Sequence, residues 1–456
     1  MDRILLALTL TLLTTADAKA QLTRHLDSLI RTRLPEVAPG CAVLVAKDDR
    51  IIYQKGFGSA NLELNTPMKP EMIFRIGSTT KQYTAIAILQ LVEKGLLSLH
   101  DTIQRFLPTF PSKGHPITIE NLLTHTSGII DYQALDDSAG RNFYYRKDYT
   151  PEQVIDFFKD EPLSFIPGTR FAYSNSNYFL LGHIIELIGG MPYAQYMQHN
   201  IFDKARLTHT YYADYKPVVP GRVQGYQRYS GRYENADYLS MTIPFAAGAL
   251  MTNVEDMFRW HEALYAGKLV RTETLKKAFT PYRLSDSTLS PYGYGWFIKD
   301  FQGSASIQHS GGVDGFQSDE LYFPKEHVFV ATLYNGMVEG GDRMDFMDLS
   351  NDIATLALGK SLMRAIALPL ETIQRYVGTY AADSAHPVNV AVENGQLMIE
   401  SPNGGLPKTP VTPIANNRFL LKVINVEFVF VAGKSGRITT LLVHVNGQEQ
   451  VAPRVR

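Results

Sequence analysis

Ser78 and Lys81 stand three residues apart in Ile73-Phe-Arg-Ile-Gly-Ser-Thr-Thr-Lys81, at the head of a run in which Ala85, Ile86, Ile88, Leu89, Leu91 and Val92 recur at helical spacing. Positions i and i+3 are neighbours one turn apart, so a lysine amine can reach the serine hydroxyl. An amine buried at the base of such a helix loses solvation. Its neutral form is then favoured, and it can act as a base toward an alcohol whose own pKa is far too high. Unpaired N–H groups at the helix N-terminus favour developing negative charge.

A second element, Tyr173-Ser174-Asn175, follows Pro167-Gly-Thr-Arg170. A tyrosine there can relay a proton beside a cation, and the amide of Asn175 can bond both a lysine and a substrate carbonyl. The third, His309-Ser310-Gly311-Gly312, precedes a strand pair, and its two glycines permit a ligand to approach the backbone closely. Taken singly, each has a structural reading: a capping serine with an exposed lysine, a loop tyrosine with a capping asparagine, and a turn.

Their order, Ser-x-x-Lys, Tyr-x-Asn, His-x-Gly, resembles the serine β-lactamase and penicillin-binding-protein superfamily. The specific likeness is to the branch of class C β-lactamases, D-alanyl-D-alanine carboxypeptidases, D-aminopeptidases and related esterases. It extends to Leu122-Leu-Thr-His-Thr-Ser-Gly128, Pro167 to Asn175, Ala247-Gly248 and Tyr292-Gly-Tyr-Gly-Trp296, covering roughly Leu22 to Ala357.

The resemblance implies an acyl-enzyme route in which Ser78 attacks a carbonyl and Lys81 and Tyr173 exchange its proton, either serving as the base. It places the oxyanion hole at the backbone N–H groups of Ser78 and Gly312. Substrate contacts fall to Asn175, His309 and Gly311, with Tyr292 lining the cleft and His125 holding a loop. Many β-lactamases of the superfamily carry lysine at the position of His309. Imidazole, with a reference pKa near 6.5, is mostly neutral at pH 7, so efficient β-lactam turnover is not expected. If a charged His309 held an anionic substrate, that binding would fade as pH rises through about 6 to 8.

The elements that must position these residues follow from the pattern. Cys41 to Ala46 and Ile51 to Gly58, around Asp48-Asp-Arg50, form a hairpin, and Gln317 to Phe323 and His327 to Tyr334 form a second strand pair. Between them the chain is mostly helical from about Ser78 to Met257, with a capping box at Thr150-Pro-Glu-Gln153. The fold class is therefore α/β (α+β): an antiparallel sheet flanked by helices with an all-helical subdomain. Beyond Leu370 come the short runs Val388 to Val392, Gln396 to Glu400, Phe419 to Val423, Glu427 to Ala432 and Ile438 to Val445, with hairpin turns at Asn394-Gly395 and Asn446-Gly447. They make a small all-β, barrel-like domain, which resembles the lipocalin-like appendage of some superfamily members, as does Tyr376-Val-Gly-Thr-Tyr380. Residues 1–20 read as a signal peptide, 21–360 as the hydrolase domain and 361–456 as the β domain.

The signal peptide rests on Arg3, a short apolar run from Ile4 to Leu13 and the small-x-small site Ala18-Lys-Ala20. It implies a secreted or periplasmic protein with no membrane span after cleavage. Of the 456 residues 45% are hydrophobic and 20% charged, which excludes a disordered chain. With 44 Lys and Arg against 45 Asp and Glu there is no basic surface for nucleic acid. The single cysteine, Cys41, excludes an intramolecular disulfide, a cysteine zinc site and an iron–sulfur cluster. His261-Glu262 lacks the second histidine of a zinc protease, Gly56-Phe-Gly-Ser-Ala-Asn61 lacks the last glycine of a dinucleotide loop, and no Gly-x-Ser-x-Gly elbow occurs. No cofactor or metal is expected.

The best reading is an exported serine hydrolase of small-molecule or peptide substrates. D-amino-acid peptides lead, with weak β-lactamase activity as a side reaction. A carboxylesterase and a non-catalytic penicillin-binding-like receptor are the alternatives, and the oligomeric state is open.

Overall fold

A computed structural model describes residues 19–34, 38–135, 145–338, 344–362, 365–383, 387–402, 405–421, 426–445 and 448–455. The expected signal peptide lies outside them except for Lys19 and Ala20, which open a helix over 19–33 (α1). The expected turn at Asn446-Gly447 also lies outside.

The described residues group into two compact units, one from Met1–Ile298 with Ser306–Leu358 and one from Lys299–Ala305 with Gly359–Arg456. The main sheet is built from β1 (Cys41–Lys47), β2 (Arg50–Phe57), β3 (Phe297–Phe301), β4 (Ser304–Val313), β5 (Phe316–Phe323) and β6 (Val328–Tyr334), in the order β3-β4-β5-β6-β1-β2. The pairs from β4 through to β2 are antiparallel. The N-terminal hairpin thus joins the edge of the later strands, with Cys41 opposite Tyr334 and Lys47 opposite Val328. β1, β5 and β6 are buried along nearly their whole length, which explains the near-continuous apolar composition of β1 and β6, whereas β5 buries the polar run Gln317-Ser-Asp-Glu320. Cys41 is fully buried, and burial pushes its thiol up to about 12.

Helices cover the sheet. α2 (Thr80–Glu93) is buried on almost every face, so it runs through the core instead of over it. α3 (Pro151–Phe158) starts with the expected capping box, Thr150 with Gln153. The others that matter for the site are α4 (Asn175–Gly189), the short α5 (Phe245–Gly248), α6 (Val254–Tyr265) and α7 (Met344–Ala357). Tyr83 of α2 stacks on Trp260 of α6 with ring centroids 4.0 Å apart, an aromatic pair of about 0.5–1.5 kcal/mol beyond its burial. The stretch expected to be mostly helical also carries short strands, Tyr211–Tyr212, Tyr226–Tyr229, Arg232–Asn235 and Leu250–Thr252. They are too short to show a period-2 signal.

The second unit holds two antiparallel sheets, of four strands from Gly378–Ala381 to Leu406–Pro410 and of five from Thr412–Ala415 to Gln448–Pro453. They share a core of Tyr376, Tyr380, Leu397, Ile399, Phe419, Phe428 and Phe430 among others. Asn394 and Gly395 take φ 49° and 77°, both on the positive side that a two-residue hairpin turn requires. Among the described residues, no helix is long and apolar enough to cross a membrane.

Candidate active site

Ser78 lies in a single 3₁₀ turn, Gly77–Thr79, that runs directly into α2, so it precedes the α-helix and is not its first residue. Gly77 makes this turn at φ +48°, and a Cβ there would meet the backbone N of Gly312 at 2.7 Å. A Cβ on Gly311 would meet Ile76 O at 1.9 Å. The glycines of the two motifs therefore explain one another: the backbone before the serine and the backbone of β4 touch with no room for a side chain. Ser318 of β5 holds the contact from below, its Oγ donating to Ile76 O at 2.7 Å and lying 2.8 Å from Thr79 Oγ1.

Lys81 is fully buried one turn on. Its Nζ lies 3.2 Å from Ser78 Oγ, 2.8 Å from Asn175 Oδ1 and 2.8 Å from Ala247 O. The last two come from α4 and α5, and α5 is itself tied to α2. Thr84 Oγ1 donates to Ala246 O at 2.7 Å, and Thr80 Oγ1 accepts from Leu250 N at 3.1 Å. A neutral amine has two N–H bonds and one lone pair. With Asn175 Oδ1 and Ala247 O accepting from N–H groups, the lone pair of a neutral Lys81 can accept from the Ser78 hydroxyl 3.2 Å away.

The Tyr173 ring centroid is 4.7 Å from Lys81 Nζ, 4.3 Å from the His125 ring and stacked on Phe297 at 6.4 Å. His125 is completely buried at φ +56°, and its Nδ1 accepts from the backbone N of Ser174 at 3.2 Å. Burial first, then the nearby Lys81 and His309, hold its pKa well below the ordinary imidazole value, so it is neutral and buttresses the Tyr173 loop.

Asn175 opens α4, and its amide is fully engaged. Besides accepting from Lys81, its Nδ2 donates to Asp131 Oδ2 and Gln133 Oε1, both at 2.9 Å, and its backbone N donates to Asp131 Oδ2 at 3.1 Å. The expected bond to Lys81 is present, both amide hydrogens point at protein oxygens in this structure, and Asn175 also borders the cleft. Asp131, which only the loop Asp131 to Tyr149 hinted at in the sequence, is the residue that sets this amide.

His309 is 2% exposed on β4. Its Nε2 lies 2.9 Å from Tyr292 Oη and its Nδ1 lies 2.7 Å from Ser310 O. A carbonyl only accepts, so Nδ1 carries a proton, and the neutral Nδ1–H tautomer satisfies both contacts. The expected N–H aimed at a substrate carboxylate is absent from this geometry, since both nitrogens face protein oxygens. Tyr292 is likewise corrected: it is fully buried behind His309 and does not line the cleft.

A buried acid missed by the sequence reading underlies the site. Glu320 on β5 sits directly across from His309 and is 4% exposed, with Gln82 of α2 alongside and its Oε2 without a hydrogen-bond partner. Burial pushes its carboxyl up to about 8. In the sequence it is the last of four consecutive polar residues, Gln317-Ser-Asp-Glu320, a pattern that reads as solvent-facing and gives no sign of a buried acid.

Ser78, Tyr173, Asn175, His309, Gly312 and Gly77 border one cleft of about 430 Å³, whose walls also include Tyr132, Tyr145, Leu239 and Asp314. A nucleophile, a buried amine beside it, a phenol and backbone N–H groups at one cleft are the parts needed for acyl transfer.

Similarity to known proteins identifies the family and the fold. The family profile described as Beta-lactamase matches residues 26–349. A penicillin-binding protein of Bacillus subtilis (strain 168) is 28% identical over 458 residues, covering 95% of this chain and 99% of that protein. An octameric penicillin-binding protein homologue from Pyrococcus abyssi superposes with a TM-score of 0.66 at 26% identity, over 95% of this chain and 99% of its own. The D-amino acid amidase from Ochrobactrum anthropi SV3 shares the fold, with a TM-score of 0.65 and 20% identity over 74% of this chain and 99% of its own. With its serine, lysine and tyrosine gathered at one cleft and the profile spanning most of its length, the chain belongs to the Beta-lactamase family of serine hydrolases.

Proposed function

We propose that this protein is an exported hydrolase that opens amide, peptide or ester bonds through an acyl-Ser78 intermediate, with D-amino-acid peptides as its preferred substrate class. The observation that carries the reading is the buried Lys81 amine, 3.2 Å from Ser78 Oγ and held there by Asn175 and Ala247. Lys81 takes the proton as Ser78 Oγ attacks the carbonyl carbon. The carbonyl oxygen, now negative, is received by the backbone N–H groups of Ser78 and Gly312, each such donor contributing about 2.7–4 kcal/mol of transition-state stabilisation. Tyr173, against the Lys81 ammonium, passes a proton to the departing amine or alkoxide. Water then attacks the acyl-serine by the reverse proton path, releasing the acid and restoring Ser78. No metal or cofactor enters these steps. Export rests on the signal-like segment Met1 to Ala20.

The test compares wild type with Ser78→Ala on a p-nitrophenyl ester and follows intact mass after exposure to activated esters, D-alanyl-D-alanine peptides and β-lactams. Wild type should turn over the ester and gain an acyl mass, and Ser78→Ala should lose more than about 10³-fold in rate and form no adduct. Equal rates for the two proteins would favour the receptor reading instead.

A further inference from the structure

The charge of the cleft wall says what the acyl half of the substrate carries, and this inference rests on the hydrolase reading above. Gly312 marks the oxyanion position on β4, and the chain on either side of it borders the two halves of a bound substrate. On one side lies His309, its ring centroid 6.3 Å from that of Tyr173, so the leaving group that Tyr173 protonates sits at this end. On the other side β4 ends at Val313, and Asp314-Gly315 turns the chain into β5, with Val313 paired to Phe316. Asp314 lines the cleft two residues beyond Gly312, about 7 Å along the strand. It therefore borders the acyl half, within a few bond lengths of the scissile carbonyl.

Among the described residues of the cleft wall, Asp314 is the sole carboxylate, and no arginine or lysine is present. Lys81 lies beneath the floor, bonded to Asn175 and Ala247, and both nitrogens of His309 are turned to protein oxygens. The cation that acts on Asp314 is Arg75, whose guanidinium lies over the rings of Tyr215 and Phe316 at 5.7 and 5.8 Å. No ion pair joins it to Asp314 among the described residues, although Asp237 nearby is paired with Arg146 at 2.6 Å. A half-buried carboxylate without a cation is costly, and a positive group entering the cleft offsets that cost. Burial, followed by the neighbouring Asp237, raises the Asp314 pKa, and Arg75 opposes the shift.

The geometry points to Asp314 as the anchor of a substrate ammonium, so that the preferred acyl donors are amides or esters of amino acids and short peptides with a free α-amine. A substrate whose acyl half bears a carboxylate or a blocked amine has no partner there.

The experiment measures kcat/KM for D-alanine p-nitroanilide and N-acetyl-D-alanine p-nitroanilide, with p-nitrophenyl acetate as the uncharged control, in wild type and Asp314→Asn. Wild type should favour the free amine over the acetylated anilide by about tenfold or more, and the advantage should decline as pH falls through the raised pKa of Asp314. In Asp314→Asn the ratio of the two anilides should fall to about one. An acetylated substrate that matches or exceeds the free amine in wild type, a ratio retained in Asp314→Asn, or cleavage of the acetate ester without turnover of the free amine would each overturn the assignment while leaving the hydrolase intact. Failure of wild type to cleave p-nitrophenyl acetate faster than Ser78→Ala would remove the underlying hydrolase reading, and the ammonium anchor with it.

Discussion

Replacing Glu320 by glutamine should change how the stability of the first unit responds to pH. Glu320 is buried, and its carboxyl is pushed from an ordinary value of 4.5 to about 8. The folded protein keeps a proton there that the unfolded chain has already released, so unfolding becomes easier as pH rises between those two values. The stability attached to that proton is complete below about 4.5 and gone above about 8. At roughly 1.36 kcal/mol per pH unit the full loss is about 5 kcal/mol, of which about 3 kcal/mol falls between pH 5.5 and 8.5. Glutamine keeps the shape and cannot titrate.

Urea unfolding followed by tryptophan fluorescence at pH 5.5 and 8.5 reads this directly. The chain has 2 tryptophans, Trp260 and Trp296, both buried in the first unit. Trp260 Nε1 donates to Gln82 Oε1 at 3.1 Å, beside the acid. Comparing variant with wild type at each pH cancels every other titration. The variant should gain about 3 kcal/mol on wild type in going from pH 5.5 to 8.5. If the two proteins lose stability in parallel, Glu320 is already ionised in the fold, and the argument from its burial is wrong.

Asp131→Ala should lower kcat by about 10- to 100-fold with little change in KM, because Asp131 positions the amide that positions Lys81; steady-state kinetics on a neutral ester decides it, and a pure KM effect would count against a positioning role. Gly311→Ala should abolish activity and lower the melting temperature sharply, since its methyl would stand 1.9 Å from Ile76 O; a native-like melt with full activity would mean that the two backbones are not in contact. With both nitrogens of His309 engaged, the ratio of kcat/KM for a substrate with an anionic leaving group to that for one with a neutral leaving group, the acyl half kept the same, should stay level between about pH 6 and 8. A ratio that drops across that range would restore the charged-histidine role implied by the sequence.

Much of the architecture is legible in the chain because it is local. The hairpin of β1 and β2, the paired β5 and β6, and the turn at Asn394-Gly395 all follow from alternation or apolar runs bounded by turn residues. The short strands between Tyr211 and Thr252 escape such reading, because two to four residues hold no period; Tyr226–Tyr229 and Arg232–Asn235 pair as a local hairpin, while Tyr211–Tyr212 and Leu250–Thr252 pair with each other across a long separation, Tyr211 opposite Met251.

The same division runs through the site. Ser78 and Lys81 are three residues apart, and a single turn of backbone brings amine and hydroxyl together, so sequence alone determines that pair. The Asn175, Asp131 and Ala247 contacts bridge 94, 44 and 166 residues respectively, and they decide how the asparagine amide and the lysine amine are held. The direction of the His309 ring, the retreat of Tyr292 behind it, and the solitary carboxylate of Asp314 are likewise settled only by packing. A residue type states which protons a side chain can give or take, but which neighbours fold against it determines where those protons point.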